Sequence, residues 1–400
     1  MIPETWASKL NRQVCCFVLF FVAAAASFNG FYEKWHFRDS NALSIGAPQT
    51  ESKFPHVEIE RILDGTAAKP YVYRQLIPSP ANWIDRVTPN SIKAELYSFR
   101  PHGYGDNDTL PVILFDSPIA RSQTYFFRYL IVYVATFLFT LLAVYAMYLV
   151  CIALKIHQAA AVLAPVVVIL LFPYIQSIGG YFYDFLELTF LALAVWIALV
   201  FDWWWIIPVA ALGTWNKESF LLAIPTLYPI IRQRSSRLSS VLGAGTLGLV
   251  CLAVYYPLRL QFAQNPGATT ENHLAEQLDF FLHPGHLIYR HSIVEKTYGL
   301  LLPPVFTVLP LALLLWTVWR GWRHMPLAVR RHGLIAAAIN IPLYVLFCWP
   351  GEMRDFSLLF IFFLLALAYN LDEWLGCSTP LSALPVMGGS ERGRELRGVG

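Results

Sequence analysis

At 400 residues, with 56% hydrophobic and 14% charged side chains and a mean hydropathy of +0.50, the chain is too apolar for an ordinary soluble domain. The net charge is only +3 and no basic tract is present, which argues against a nucleic-acid-binding protein. Apolar runs of about 18 to 25 residues predict an all-α fold, a polytopic transmembrane helical bundle of about 8–10 membrane helices. These helices include a broken or hairpin segment, and a long extracytoplasmic loop follows the first of them.

The amino-terminal segment is predicted to be a retained signal anchor. A basic flank precedes an apolar run that is long enough to span a bilayer, and the first span is placed at Arg12–Phe31. The extracytoplasmic first loop then covers residues 32–123. We expect an amphipathic helix near Val57–Asp64 within it, and Pro70–Val87 has the aromatic and proline content of a segment that lies on the membrane surface.

Further apolar runs complete one transmembrane domain over residues 1–371, followed by a disordered cytoplasmic tail at 372–400. The predicted spans after the first loop, the broken segment apart, are Phe127–Leu154, Ala159–Gln176, Phe185–Phe201, Leu238–Tyr256, Leu300–Val318, Leu334–Trp349 and Phe356–Asn370. Neither long loop contains cysteine, so no disulfide framework is indicated.

The segment Trp203–Ile231 is apolar at both ends but carries the polar triplet Asn216, Lys217 and Glu218 in its middle. As one helix of about 29 residues it would run about 43 Å, which exceeds the roughly 30 Å hydrocarbon core of a bilayer. Residues that weaken or break helices flank the triplet on both sides: Pro208, Gly213, Pro225 and Pro229. We therefore expect two short helices that meet at Asn216–Ser219. Charged residues within a membrane segment, here Lys217 and Glu218, usually indicate a functional site. The alternatives are an ordinary loop between two spans, or an ion pair that only stabilises the break.

Short basic loops predict the orientation of the chain. The arginines and lysine that should be cytoplasmic are Lys155, Arg232, Arg234, Arg237, Arg320, Arg323, Arg330, Arg331, Arg392, Arg394 and Arg397. They fall on one side only if Trp203–Ile231 enters and leaves the membrane at the same face. A re-entrant hairpin satisfies this condition, and two full short spans would satisfy it equally.

Polar side chains gather on the predicted non-cytoplasmic face. Asp184 and Glu187 share one helix face at the start of a span, and Lys217 and Glu218 occupy the hairpin tip. The other members are Arg74 in the first loop and Glu352, Arg354 and Asp355 in the turn between the last two spans. Carboxylates beside cations suit acid–base chemistry on a hydroxyl, and Lys and Arg suit a phosphate. The alternatives are a solvated helix cap for Asp184 and Glu187, and a turn with local ion pairing for Glu352–Asp355.

Two other patterns have weaker implications. The histidines of the second long loop lack the spacing of a metal site, so no metal ligand is predicted. Gly243, Gly245 and Gly248 indicate close helix packing rather than a phosphate-binding loop, because no strand precedes them.

The run from Tyr183 to Ile231 resembles the GT-C superfamily of polytopic membrane glycosyltransferases, which includes protein O-mannosyltransferases and the transferases that add aminoarabinose to lipid A. The block AALGTWNKESFLLAIP at Ala210–Pro225 is similar to a family block with a lysine at the position of Lys217. Asp184 matches the acidic residue that opens a family span. The resemblance extends over half of the chain. It departs from the family where Asn216 and Glu218 replace Thr and Gly, and the acidic pair of the first loop has Glu33 and Asp39 as its nearest counterparts.

The resemblance implies a glycosyltransferase that moves a sugar from a polyprenyl-phosphate donor to an extracytoplasmic acceptor, in a bacterial inner membrane with the site facing the periplasm or exterior. Lys217 with Arg74 or Arg354 would bind the donor phosphate. Glu33 or Asp39 would deprotonate the acceptor, and Asp184 would orient the acceptor, the base or the sugar. Other expected substrate-binding residues are Glu187, Glu218 and Glu352. No cofactor or metal is required, since cationic side chains can neutralise the phosphate. Membrane lipid and the lipid-linked donor are the expected partners, without nucleic acid.

Three other functions remain open from the sequence. A polysaccharide polymerase or ligase acting on lipid-linked glycans would use the same basic groups but would have more spans. A transporter or flippase favours internal repeats and broken helices in both halves, and no repeat is visible here. A non-catalytic membrane subunit would be expected to have an uncharged interior. Lys217 and Glu218, which lie within an apolar segment, argue against this function.

Overall fold

The computed structural model describes residues 6–39, 58–99, 118–176, 180–268, 270, 272–283, 285, 295–298, 300–302 and 308–376. Six of its helices are long and apolar enough to cross a membrane. These candidate spans are Gln13–Tyr32, Phe126–Ala153, Gln158–Ile175, Phe182–Val200, Arg237–Gln261 and Met353–Trp374. The predicted all-α, polytopic membrane bundle is confirmed, with one short pair of strands added to it.

The helices and strands follow one another along the chain with 3₁₀ turns between some of them. The helices are α1 (Trp6–Asp39), α2 (Ile59–Leu63), α3 (Pro78–Val87), α4 (Asn90–Ser98), α5 (Pro118–Arg121), α6 (Phe126–Ala153), α7 (Gln158–Ile175), α8 (Phe182–Val200), α9 (Ile207–Asn216), α10 (Phe220–Ile231), α11 (Arg237–Gln261), α12 (Leu274–Leu282), α13 (Val308–Trp322), α14 (Leu327–Phe347) and α15 (Phe360–Trp374). The strands are β1 (Glu295–Thr297) and β2 (Leu300–Leu302), and the 3₁₀ turns are Tyr71–Tyr73, Trp203–Ile206 and Met353–Leu359.

The predicted first span, Arg12–Phe31, is confirmed by the candidate span Gln13–Tyr32, whose helix α1 continues to Asp39. Two other predicted boundaries are wrong. The predicted span Leu300–Val318 begins instead with β2, which pairs antiparallel with β1, and α13 starts only at Val308. Prolines at 303 and 304, outside the described residues, separate the two elements in sequence. The last helix extends to Trp374, past the predicted start of the tail at 372, and 377–400 lie outside the described residues.

The segment Trp203–Ile231 is a hairpin of two short helices, α9 and α10. Trp203, where the hairpin begins, donates its indole N–H to Ser239 Oγ at 3.2 Å, near the start of α11. Since α11 also follows directly on the end of α10, the hairpin begins and ends at the same end of the bundle. Its arms are about 15 and 18 Å long, each near half of a hydrocarbon core. This geometry favours the re-entrant hairpin over two full spans.

Close packing fixes the two arms of the hairpin. A Cβ placed on Gly213 would lie 2.6 Å from the Phe220 ring, so the arms approach each other only because residue 213 lacks a side chain. Gly243 packs in the same way on Trp203, with a Cβ distance of 2.7 Å, as the predicted helix packing requires. Gly245 and Gly248 have open space at the corresponding position, so the packing prediction holds for one of the three glycines.

The loops divide between the two ends of the bundle as the sequence predicts. Asn265 Nδ2 donates to the carbonyls of Gly65 and Ala67 at 2.8 and 2.9 Å, which joins the first loop to the loop after α11. At the opposite end, the backbone N–H of His157 donates to Asp372 at 2.9 Å, beside the arginine-bearing loops. The hairpin tip at Lys217 therefore shares its end of the bundle with both long loops.

Candidate functional site

The first turn of α8 supplies two buried carboxylates. Asp184 Oδ2 accepts the backbone N–H of Tyr181 at 2.9 Å and so caps the helix, but the residue is buried and is not the solvated cap of the alternative interpretation. Its other oxygen, Oδ1, lies 3.5 Å from Nη1 of Arg354. Asp184 thus both caps α8 and faces the guanidinium of Arg354, which lies in the turn after α14. Glu187 lies one turn later on the same helix face.

Lys217 projects from the break between α9 and α10 towards Glu187. Its backbone is extended (φ −156°, ψ 127°), which turns the side chain out of the path of the helix. Lys217 Nζ donates to Glu187 Oε2 at 2.7 Å, and both side chains are buried. Ser219 and Ser357 donate to the other Glu187 oxygen at 2.9 and 2.7 Å. A protein carboxylate therefore already compensates the charge of Lys217 within the fold.

Arg354 sits in the turn after α14, where the predicted local ion pairing is confirmed. Its Nε and Nη2 donate to Glu352 Oε1 at 2.9 and 2.5 Å, and its guanidinium lies 4.6 Å from the centroid of the Tyr181 ring. Asp355 Oδ1 lies 4.0 Å from Lys217 Nζ. The turn therefore carries one cation and two carboxylates to the tip of the hairpin.

Arg74 reaches the same place from the first loop. Its Nη1 donates to the Tyr183 hydroxyl, and its Nη2 donates to Glu218 Oε1 at 3.4 Å. The guanidinium lies 4.2 Å from the centroid of the Tyr183 ring and 5.0 Å from that of Tyr71. Burial disfavours the charge, yet the interactions with Tyr183 and Glu218 outweigh it and raise the pKa of Arg74 above its ordinary value. Arg74 thus stays charged at any physiological pH.

The structure brings eight ionisable side chains together at the hairpin tip, and we call them the charged cluster. They are Arg74, Asp184, Glu187, Lys217, Glu218, Glu352, Arg354 and Asp355, three cations and five carboxylates. Every residue predicted for the site whose side chain the structure describes is among them. Glu33 and Asp39 lie in α1, but their side chains are outside the described part of the chain.

Several residues that shape the site were missed by the sequence analysis. Tyr181 and Tyr183 stack with ring centroids 5.0 Å apart and carry the two arginines over their rings. Asn340 accepts from the backbone of Leu358 and donates to the Asp355 carbonyl at 2.7 Å, which holds the turn in place. Aromatic and amide residues at helical spacing are typical of ordinary core packing, so the sequence does not single out Tyr181, Tyr183 or Asn340 as site residues.

The sequence identified Asn216 only as a member of the polar triplet. In the structure its side chain donates to the Tyr183 carbonyl at 2.9 Å.

An apolar groove of about 590 Å³ lies beside the hairpin, between α10, α11 and α14. Leu221, Pro225 and Tyr228 of α10 form one wall, and Val241, Gly248 and Ile335 contribute to the others. The groove starts in the first turn of α10, directly after the break that carries Lys217. The hairpin α9–α10 therefore carries both the break with Lys217 and one wall of the apolar groove.

No three His, Cys, Asp or Glu side chains in the described part of the chain are arranged to hold a metal ion. Comparisons with protein-family models, with curated proteins and with solved structures find no match to this chain.

Proposed function

We propose that this chain is an integral membrane glycosyltransferase that moves a sugar from a polyprenyl-phosphate donor to an acceptor at the hairpin-tip end of the bundle. The observation that carries the proposal is that the hairpin α9–α10 contributes both to the charged cluster, through Lys217 and Glu218, and to the apolar groove, through α10. A lipid-linked sugar phosphate has one charged head and one long apolar tail, and it needs both surfaces side by side. The resemblance of Ala210–Pro225 to the GT-C block supports the same substrate class.

The cationic side chains of the cluster would bind and stabilise the phosphate leaving group. Lys217 has three N–H donors, of which Glu187 takes one, so the others can reach a phosphate oxygen. Arg74 and Arg354 add planar donors on either side of the stacked tyrosines. Negative charge that develops on the phosphate as the sugar leaves is stabilised by such fixed cations in a dry site.

The remaining carboxylates would handle the acceptor. Asp184 is fixed by its capping hydrogen bond and would orient the acceptor or the sugar. Glu33 or Asp39 of α1 would take the proton from the acceptor hydroxyl. A polymerase or ligase would use the same donor head group, and the identity of the acceptor separates these activities from simple transfer.

A cluster that served only to hold the fold would have its buried polar atoms satisfied. Among the described residues, Arg74 Nε and Glu218 Oε2 are buried and have no hydrogen-bond partner, while Arg354 Nη1 and Asp184 Oδ1 are buried and have only their mutual ion pair at 3.5 Å. Two unpaired atoms and one long ion pair in one place support a site that receives a polar ligand. The one-sided basic loops support the placement of this site on the extracytoplasmic face, as in an inner membrane whose site opens to the periplasm.

The test is a transfer assay with the purified chain in liposomes. We expect wild-type protein to release polyprenyl phosphate from at least one polyprenyl-phosphate hexose or pentose, with the sugar recovered on an added acceptor extract. Arg331→Gln, an exposed cation at the opposite end of the bundle, should retain this activity. The proposal fails if folded wild-type protein releases no polyprenyl phosphate from a panel of polyprenyl-monophosphate sugars.

A further inference from the structure

The charge balance of the cluster constrains how an anion can enter it. Three cations and five carboxylates give the cluster a formal charge of −2. A phosphate added to this arrangement would meet like charges at short range in a weakly polar interior, which is unfavourable. Entry becomes favourable when a carboxylate leaves its cation and makes room for the phosphate.

Glu218 is the most exposed carboxylate of the charged cluster, and it is weakly held. Among the described residues, the only hydrogen bond of its carboxylate is the 3.4 Å contact with Arg74 Nη2, its Oε2 has no partner, and its side chain is 27% exposed. Glu187, by comparison, accepts three hydrogen bonds of 2.7 to 2.9 Å and its side chain is 4% exposed. Glu218 also lies in the turn that separates the two helical arms of the hairpin.

The cation that faces Glu218 is held firmly. Arg74 is fixed by the Tyr183 hydroxyl and by the rings of Tyr71 and Tyr183, and only 7% of its side chain is exposed. Its Nε has no partner among the described residues. A guanidinium binds a carboxylate and a phosphate with the same geometry, so a phosphate oxygen can replace Glu218 without any movement of Arg74.

We propose that Glu218 is an internal competitor that occupies the anion subsite of Arg74 until a phosphate displaces it. The identity of the anion as a lipid-borne phosphate rests on the proposed function, whereas the exchange at Arg74 does not. The contact also joins the first loop to the hairpin tip, so displacement of Glu218 releases the loop from the tip. Glu218 thereby sets the affinity for the phosphate and excludes weaker anions.

The exchange is tested by binding measurements on Glu218→Gln with two probes, inorganic phosphate and undecaprenyl phosphate, in nanodiscs. Glutamine keeps an oxygen acceptor for Arg74 and removes the charge, so the variant should fold and melt like wild type. We expect Glu218→Gln to bind both probes about tenfold more tightly than wild type, the scale of one hydrogen bond to a charged group. Glu276→Gln, an exposed carboxylate in α12 at the same end of the bundle, should leave both affinities unchanged.

Arg74→Gln is the second variant in the binding test. In the Glu218→Gln background it should abolish the gain, because the subsite itself is removed. Unchanged or weaker binding by Glu218→Gln, or no binding of either probe to any variant, would overturn the proposal. A gain for inorganic phosphate with no binding of undecaprenyl phosphate would instead support the exchange and contradict the lipid-linked donor of the proposed function.

Discussion

The ammonium of Lys217 lies 2.7 Å from the carboxylate of Glu187, although thirty residues separate the two in sequence. The pair joins the tip of the α9–α10 hairpin to α8, and both side chains are buried. A buried ion pair adds little net stability compared with an apolar pair, but removal of one partner leaves an uncompensated charge that costs about 3–5 kcal/mol. Lys217 therefore matters to the fold as well as to the proposed chemistry.

The first prediction concerns this pair. Lys217→Met should lower the free energy of unfolding by about 3–5 kcal/mol, because only the hydroxyls of Ser219 and Ser357 remain on Glu187. The double variant Lys217→Met/Glu187→Gln should recover most of the loss, since no charge is left unpaired. Reversible unfolding of the two variants in detergent measures both values. Equal or additive losses in the double variant would show that the two residues are not coupled.

A second prediction concerns the close approach of the hairpin arms. Gly213→Ala should destabilise the protein by about 1–3 kcal/mol, because the new methyl group overlaps the Phe220 ring in a packed interior. Gly245→Ala in α11, where a Cβ meets open space, should be neutral or slightly stabilising. Melting curves of the two variants check the difference. A Gly213→Ala protein as stable as Gly245→Ala would argue against the packed hairpin.

The hairpin also predicts the sidedness of two loops. Gln233, between α10 and α11, and Gln264, after α11, are both exposed and lie at opposite ends of the bundle. In intact cells, a membrane-impermeant maleimide should label Gln264→Cys and spare Gln233→Cys, which reacts only after permeabilisation. Labelling of Gln233→Cys from outside would reverse the orientation that the basic loops predict.

The break at Lys217 and the sharing of one end by both long loops could be predicted because proline, helix length and charge asymmetry act locally. The partners within the site could not be predicted from the sequence. Ser357 and Asn340 reach the cluster from segments far along the chain, and their spacing shows no periodicity that singles them out. The β1–β2 pairing was hidden for another reason: a run of leucines at 300–302 suits a strand as well as a helix, and only the partner strand decides.

The most direct test of the central claim, that the charged cluster is a catalytic site and not only a brace for the hairpin, is turnover per folded molecule in Lys217→Met/Glu187→Gln. The double variant removes both charges while it keeps the fold, so a melting curve near that of wild type shows that the sample is intact. Release of polyprenyl phosphate is measured beside Arg331→Gln as the control. We predict that turnover falls at least about a hundredfold in the double variant, the order expected when an electrostatic contact to the leaving group is lost. Wild-type turnover in the folded double variant would contradict the account and leave the cluster a purely structural role.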